Sequence, residues 1–110
     1  MKKSEQIAIN EKVESVFKLS NDEIIYTAFD TLRRLRTMSA QVFETNNYYH
    51  LVSYNTRIAV IDKHTDVCYD FLRFSYGYTA TSAKHVAAFK ADYGNKNWIS
   101  EVETYTWREV

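Results

Sequence analysis

Five potential metal ligands alternate along Asp62-Lys63-His64-Thr65-Asp66-Val67-Cys68-Tyr69-Asp70. Carboxylates, an imidazole and a thiol at that spacing raise two chemistries, a calcium loop and a zinc site. An EF-hand loop needs a turn glycine at its sixth position and a bidentate glutamate at its twelfth. Here those positions are Val67 and Arg73. A structural zinc site draws Cys and His pairs from two places, and Cys68 is the chain's single cysteine. The segment therefore reads as a polar hairpin turn followed by a strand, with Cys68 as a small core residue. No metal and no cofactor is expected.

Two further sets of residues bear on catalysis. Cys68 with His50, His64 or His85 has the makings of a nucleophile and base, but no strained nucleophile turn flanks the cysteine and nothing in the sequence joins the pair. Thr79, Thr81 and Ser82 precede Lys84 and His85 at a helix start, where backbone N–H groups and Lys84 can hold an anion. The same hydroxyls serve equally as helix caps, with His85 packed or hydrogen-bonded against the sheet. No catalytic residue is assigned.

Binding chemistry is better represented. Arg33, Arg34 and Arg36 form the dense basic cluster, with Arg57 and Arg73 as possible neighbours in space, and can touch phosphate or an acidic protein surface. The chain has nine tyrosines. Tyr48, Tyr49, Tyr54, Tyr69, Tyr76 and Tyr78 gather in the strand-like region, and alternation prevents all of them from facing a core. Exposed tyrosines make rigid amphipathic contact surface, for a protein partner or for stacking on bases; cross-strand packing is the competing use. The candidate binding residues are Arg33, Arg34, Arg36, Tyr48, Tyr49, Tyr54, Arg73, Tyr76, Tyr78 and Lys84.

The elements that must position these groups follow from periodicity. Residues 4–18 predict a short helix with Ser4 as N-cap and an apolar stripe of Ile7, Val13, Val16 and Phe17. Ser20-Asn21-Asp22-Glu23 has the capping-box pattern, and Ile25, Ala28, Phe29, Leu32 and Leu35 then recur at helical spacing, predicting a second helix over 22–37 with the arginines in its last turn. After Met38 the period falls to two. Strands are expected at 42–45, 48–54, 57–62 and 67–71, with a turn at Asn46-Asn47 and a bend or bulge at Asn55-Thr56. Arg73 to Gly77 reads as extended. A helix follows from the Thr79–Ser82 caps to Tyr93, with Gly94 as its C′ residue. Trp98–Trp107 alternates loosely and reads as a strand, although Trp98, Val102 and Tyr105 also suit a helix. The expected architecture is α+β: a twisted antiparallel sheet of three to five strands with the 81–92 helix on one face, preceded by two N-terminal helices. The chain of 110 residues reads as one domain, with 1–38 a helical extension, 40–93 the core and 94–110 a C-terminal strand or tail.

Bulk composition narrows the function classes. Lys plus Arg number 14 and Asp plus Glu number 14, with 7 of each in residues 1–55 and 7 of each in 56–110. A phosphate-neutralising protein carries clustered excess Lys and Arg, so zero net charge argues against general nucleic-acid binding. Two glycines, Gly77 and Gly94, and no proline exclude a glycine-cradled phosphate loop. Apolar runs such as Ile58–Ile61 fall far short of the ~20 residues of a membrane helix. The opening residues carry no secretory leader pattern, so a cytoplasmic protein is expected.

The stretches YYHLVSYNTRIAVID (Tyr48–Asp62) and YGYTATSAKHVAAF (Tyr76–Phe89) resemble a small phage-associated domain of unknown function. Its members share S-Y-N-T, an aliphatic strand and Y-S-x-T-T-S-K-H-I-x-x-F. Ser82 and Ala83 depart from it, standing for a Thr and a Ser. The resemblance implies a phage or prophage protein but no reaction. The expectation is a non-enzymatic inhibitor of a host protein, a bacterial defence component such as a CRISPR effector. A nucleic-acid-binding accessory module is the alternative, and either can be a homodimer.

Overall fold

A computed structural model describes residues 2–110, the side chain of Ser100 excepted. The order of elements is α1 (Lys3–Asp22), a 3₁₀ segment (Tyr26–Thr31), β1 (Arg33–Arg34), β2 (Ala40–Glu44), β3 (Tyr48–Ser53), β4 (Thr56–Asp62), β5 (Cys68–Asp70), a π-helical turn (Leu72–Tyr76), α2 (Ala80–Tyr93), a 3₁₀ turn (Ile99–Glu101) and β6 (Thr104–Thr106). The six strands form one sheet in chain order. All neighbours are antiparallel except β5 and β6, which run parallel with α2 as the crossover. The α+β class holds, with six strands rather than three to five.

Strand alternation sends two cores to opposite faces of the sheet. On one face Val42, Leu51, Ala59, Ile61 and Cys68 pack under Val86, Ala88 and Phe89 of α2. On the other, Tyr48, Val60 and Tyr69 pack with Phe71 under Val13 and Val16 of α1. The strongest pairing is the β3–β4 hairpin. Leu51 faces Ala59 while Val52 faces Arg57, so Ile58 is the extra residue of a bulge, and Tyr54-Asn55 is the two-residue turn. Because both faces of β4 are covered, Ile58, Ala59, Val60 and Ile61 are all buried, and the bulge brings Ile58 into the same core as Ala59.

The N-terminal third differs most from the expectation. The first helix runs to Asp22, beyond residue 18, and Lys2, not Ser4, is its N-cap. Its buried stripe is part polar: Gln6, Asn10, Val13, Val16 and Ser20 turn inward, while Ile7 is exposed. Gln6 Nε2 donates to the Thr106 carbonyl (3.0 Å), and Asn10 both donates to the Arg108 carbonyl (2.6 Å) and accepts from its N–H (3.0 Å). Two amide side chains thus satisfy the outer edge of β6, a strand edge that otherwise invites pairing with another chain.

No second α-helix spans 22–37. Ser20 lies inside α1, where its hydroxyl donates to the Phe17 carbonyl (3.2 Å), and the Glu23 carboxylate accepts from the backbone and side chain of Asn47 (3.0 and 2.6 Å). The capping-box residues are therefore spent on the end of a helix and on a neighbouring turn. Six residues of 3₁₀ helix follow, and then Arg33 and Arg34 pair with Val42 and Gln41 as β1. The stretch expected as a separate extension thus supplies the sheet's first strand and covers its second face.

Two later expectations are also corrected. Arg73–Gly77 is not extended: Phe71 and Leu72 lead into the π-helical turn, closed by the Gly77 N–H on the Leu72 carbonyl (2.7 Å). Gly77 ends it at φ +95°, a region side-chain-bearing residues avoid. Helix α2 begins as expected, with Thr79 accepting from the Ser82 N–H (3.0 Å). Its closing glycine is not left-handed, since Gly94 has φ −75°. Gly94 is required by crowding, because an added Cβ would stand 2.7 Å from both the Lys90 carbonyl oxygen and Val102 Cγ2. Gly94→Ala is expected to cost about 1–3 kcal/mol, as overpacking does. An unchanged urea midpoint for this variant would show that the α2–β6 connection yields freely.

Candidate functional site

One end of the sheet gathers the β3–β4 turn, the π-helical turn and the start of α2. Tyr54 sits at the tip of the turn with φ 56°, an uncommon conformation for a bulky residue. Its N–H donates to the Ser39 carbonyl (3.0 Å), and its ring lies 6.0 Å from that of His85. Beneath it, Ser53 Oγ lies 2.8 Å from His85 Nδ1 and 3.3 Å from Ser82 Oγ. All three residues are buried, and burial lowers the His85 pKa, favouring the neutral ring. The network ties α2 to β3, and because Ser53 is wholly buried its hydroxyl is not presented to a substrate.

The turns at this end carry exposed aromatic side chains. Tyr54, Phe74, Tyr76 and Tyr78 are exposed, and the Arg73 guanidinium stacks 4.4 Å from the centroid of Tyr78. A groove of about 390 Å³ lies between Arg34 and Tyr54, walled by Met38, Ala40 and Gln41. A second cleft, of about 530 Å³, is lined by Arg73, Tyr78, Trp107, Arg108 and Glu109. Among the described residues Arg34, Arg73 and Lys84 have no ion-pair partner. Each cleft therefore sets an aromatic ring beside an arginine, Tyr54 by Arg34 and Tyr78 by Arg73, a pairing that suits carboxylates and planar groups.

Arg33, Arg36, Tyr48 and Tyr49 lie apart from this end. Arg33 donates to Glu44 (2.9 Å) and to the Tyr93 hydroxyl (2.8 Å), and Arg36 makes a two-pronged pair with Asp92 (2.9 and 2.7 Å). Arg34 donates to the Met38 carbonyl (3.1 Å). The three arginines diverge because β1 alternates and Arg36 takes a positive φ of 52°, so they are not a joint phosphate clamp. Arg57 lies elsewhere, between the Phe17 and Phe71 rings (4.6 and 5.2 Å) and donating to Ser20 Oγ and the Phe17 carbonyl. Its burial lowers its pKa to about 10, and it stabilises the carbonyl end of α1. Tyr48 is buried, and Tyr49 is held between Tyr93 (5.1 Å) and the Lys63 ammonium (4.9 Å).

No protein-family profile matches the chain, and neither a curated protein nor a solved structure matches it.

The catalytic and metal alternatives can be placed residue by residue. Cys68 is fully buried in the core beneath α2, and burial drives its thiol pKa well above the ordinary value. Asp62 accepts from the His64 and Thr65 N–H groups (2.8 and 3.3 Å). Asp66 accepts from the Asn95 N–H (2.9 Å), Asp70 from that of Leu72 (2.8 Å), and His64 Nε2 lies 2.8 Å from Asn47 Oδ1. Each potential ligand is turned to its own partner. Among the described residues no three His, Cys, Asp or Glu side chains are placed to hold a metal, and no helix is long and apolar enough to cross a membrane.

Sequence reasoning missed Phe74, Trp107 and Arg108 at this end. A π-helical turn has no simple periodic signature, and the partners of Trp107 are distant in the chain: Phe74 (5.8 Å between ring centroids) and Glu14. The run Arg73-Phe74-Ser75-Tyr76-Gly77-Tyr78 itself, with its dense aromatics beside a glycine, was the available signal.

Proposed function

We propose that this chain is a non-enzymatic phage or prophage protein that binds and inhibits a protein of its bacterial host. It acts in the host cytoplasm on a defence component such as a CRISPR effector. The observation that carries the protein-binding reading is a pair of exposed ring-and-arginine sets, Tyr54 beside Arg34 in one groove and Tyr78 stacked on Arg73 in another, with Tyr76 exposed between Arg73 and Tyr78 in the chain. Aromatic and arginine side chains dominate the energetics of protein interfaces. The phage setting is only what the resemblance of residues 48–93, read from the sequence alone, implies, and zero net charge favours a protein over a polyanion.

Nucleic-acid binding is the second reading, favoured by the Arg73–Tyr78 stack beside Trp107 and Arg108. It is the weaker one, since Glu109 lines the same cleft and Arg33 and Arg36 are already neutralised. A tagged pull-down from bacterial lysate, with and without nuclease, separates the two. The expected result is a stoichiometric, nuclease-resistant protein that is lost with Tyr54→Ala/Tyr76→Ala/Tyr78→Ala and whose activity falls on adding the wild-type chain. Recovery that vanishes with nuclease supports the nucleic-acid reading instead. A captured protein whose activity does not change defeats the inhibitor reading.

A further inference from the structure

The segment between α1 and β1 carries an apolar row that the core does not use. Three residues per turn bring i and i+3 into line in a 3₁₀ helix, so within Tyr26–Thr31 Tyr26 and Phe29 form one row and Ala28 and Thr31 the next, flanked by the cap residues Ile25 and Leu32. Only Ala28 is buried; Tyr26 is 90% exposed, Ile25 63%, Phe29 49% and Leu32 41%. Phe29 is braced from behind by the Phe43 ring, 5.1 Å away between centroids, and the Thr31 hydroxyl accepts from the Glu44 N–H (2.7 Å). The row is therefore fixed to β2 and presented outward. Large apolar side chains in a contiguous exposed set mark an interaction surface.

The chemistry of the partner follows from the groove beside it. About 510 Å³ in volume, it is lined by Asp22, Glu23 and Glu44 together with Ile25 and Ala28. The basic lining residue, Lys63, is already bound to Glu44 (3.0 Å) and to the Thr45 carbonyl (2.8 Å). Lys63 and Arg33 both pair with Glu44, so Asp22 and Glu23 face no cation among the described residues and the groove keeps a negative excess, to which Asp30 adds an exposed carboxylate on the third row.

We infer that the Tyr26–Leu32 ridge and its acidic groove are a second contact face, which takes a basic amphipathic helix of a partner protein. Apolar side chains of that helix cover Tyr26, Phe29 and Leu32, and a lysine or arginine enters the groove. A second copy of this chain fits less well, because a two-fold contact sets acidic groove against acidic groove. The face is separate from the aromatic end: the ridge packs on β2 near Glu44, beside the β2–β3 turn, whereas Tyr54 lies at the opposite end of β3.

The test is fluorescence anisotropy of the intact protein with a labelled Lys/Leu amphipathic helix of about 18 residues, compared with the matching Glu/Leu peptide. Binding of the Lys/Leu peptide is expected, with the Glu/Leu peptide and the Tyr26→Ala variant each at least about tenfold weaker. Asp22→Lys, at an exposed position, weakens binding and flattens its salt dependence. Equal affinity for the two peptides, or unchanged affinity in Tyr26→Ala, overturns the inference. The variant Tyr54→Ala/Tyr76→Ala/Tyr78→Ala keeps its peptide affinity, so failure at the ridge and failure of the host-protein reading are told apart.

Discussion

Acidification from pH 7 to pH 4 is expected to remove about 3 kcal/mol of stability through one buried side chain, His50. The ring is wholly inaccessible and lies flat against Phe43, with centroids 4.5 Å apart and planes 6° from parallel. Nε2 lies 2.8 Å from Thr45 Oγ1, while Nδ1 has no partner among the described residues. Burial lowers its pKa from 6.5 to about 3; Arg57 and Lys63 push the same way, and Glu23 opposes them. The sign follows from proton counting. Below about pH 6.5 the unfolded chain takes up a proton that the native chain refuses until about pH 3, so stability falls across that window. His85, also lowered by burial, adds in the same direction. Glu44, lowered by its Lys63 hydrogen bond, adds to the loss as its own carboxylate titrates, whereas burial raises the Asp70 pKa and acts in the opposite sense. Urea midpoints at pH 7, 5.5 and 4 measure the effect. His50→Phe keeps the stack on Phe43 and abolishes most of the slope; parallel curves for variant and wild type would mean that His50 is not the sensing group.

The second large effect is Phe71→Ala, expected to cost about 3–5 kcal/mol. Phe71 is fully buried, meets Phe17 edge-on at 5.0 Å and lies under the Arg57 guanidinium. Truncation leaves a cavity between α1 and the sheet and removes one of the two rings that shield a partly buried cation. Domains of this size have only about 5–15 kcal/mol in total, so the variant is marginal at ordinary temperature. The loss is local in character. Amide exchange should accelerate in residues 13–20 of α1 before it does in β3 and β4. Uniform acceleration would indicate instead that α1 and the sheet unfold as a single unit.

The parts of the fold legible in the sequence are those in which local pattern and tertiary role agree. Alternation in Tyr48–Asp62 specified the central hairpin, and the Thr79 cap specified the start of α2. Cys68 was readable as core because it lacked a partner cysteine. The first 38 residues were less legible, because i and i+3 spacing is common to α and 3₁₀ helices. Ile25, Ala28, Phe29 and Leu32 therefore imitate an α-helical stripe that the chain does not form. In α1 the opposite failure occurs: Gln6 and Asn10 are buried at stripe positions, and an apolar-only reading passes over them. Of the candidate site, the tyrosine count announced a surface, but exposure separated Tyr54, Tyr76 and Tyr78 from Tyr48 and Tyr49. Tyr48 and Tyr49 lie on β3, whose two faces are both covered, whereas the other three sit in the hairpin turn, the π-helical turn and the loop before α2, and composition fixes none of these placements.

The amide clamp of Gln6 and Asn10 on residues 106 and 108 ties the first helix to a strand made about a hundred residues later. During synthesis β5 emerges more than thirty residues before β6 (Asp70 against Thr104), and until then its outer edge is unpaired. Helix α1, although made first, cannot complete its polar contacts until the final strand arrives. The nascent chain thus holds an open strand edge and a half-seated helix together, the two elements that chains exchange when they swap segments. Pairing β6 on β5 and seating Gln6 and Asn10 on residues 106 and 108 close both at once.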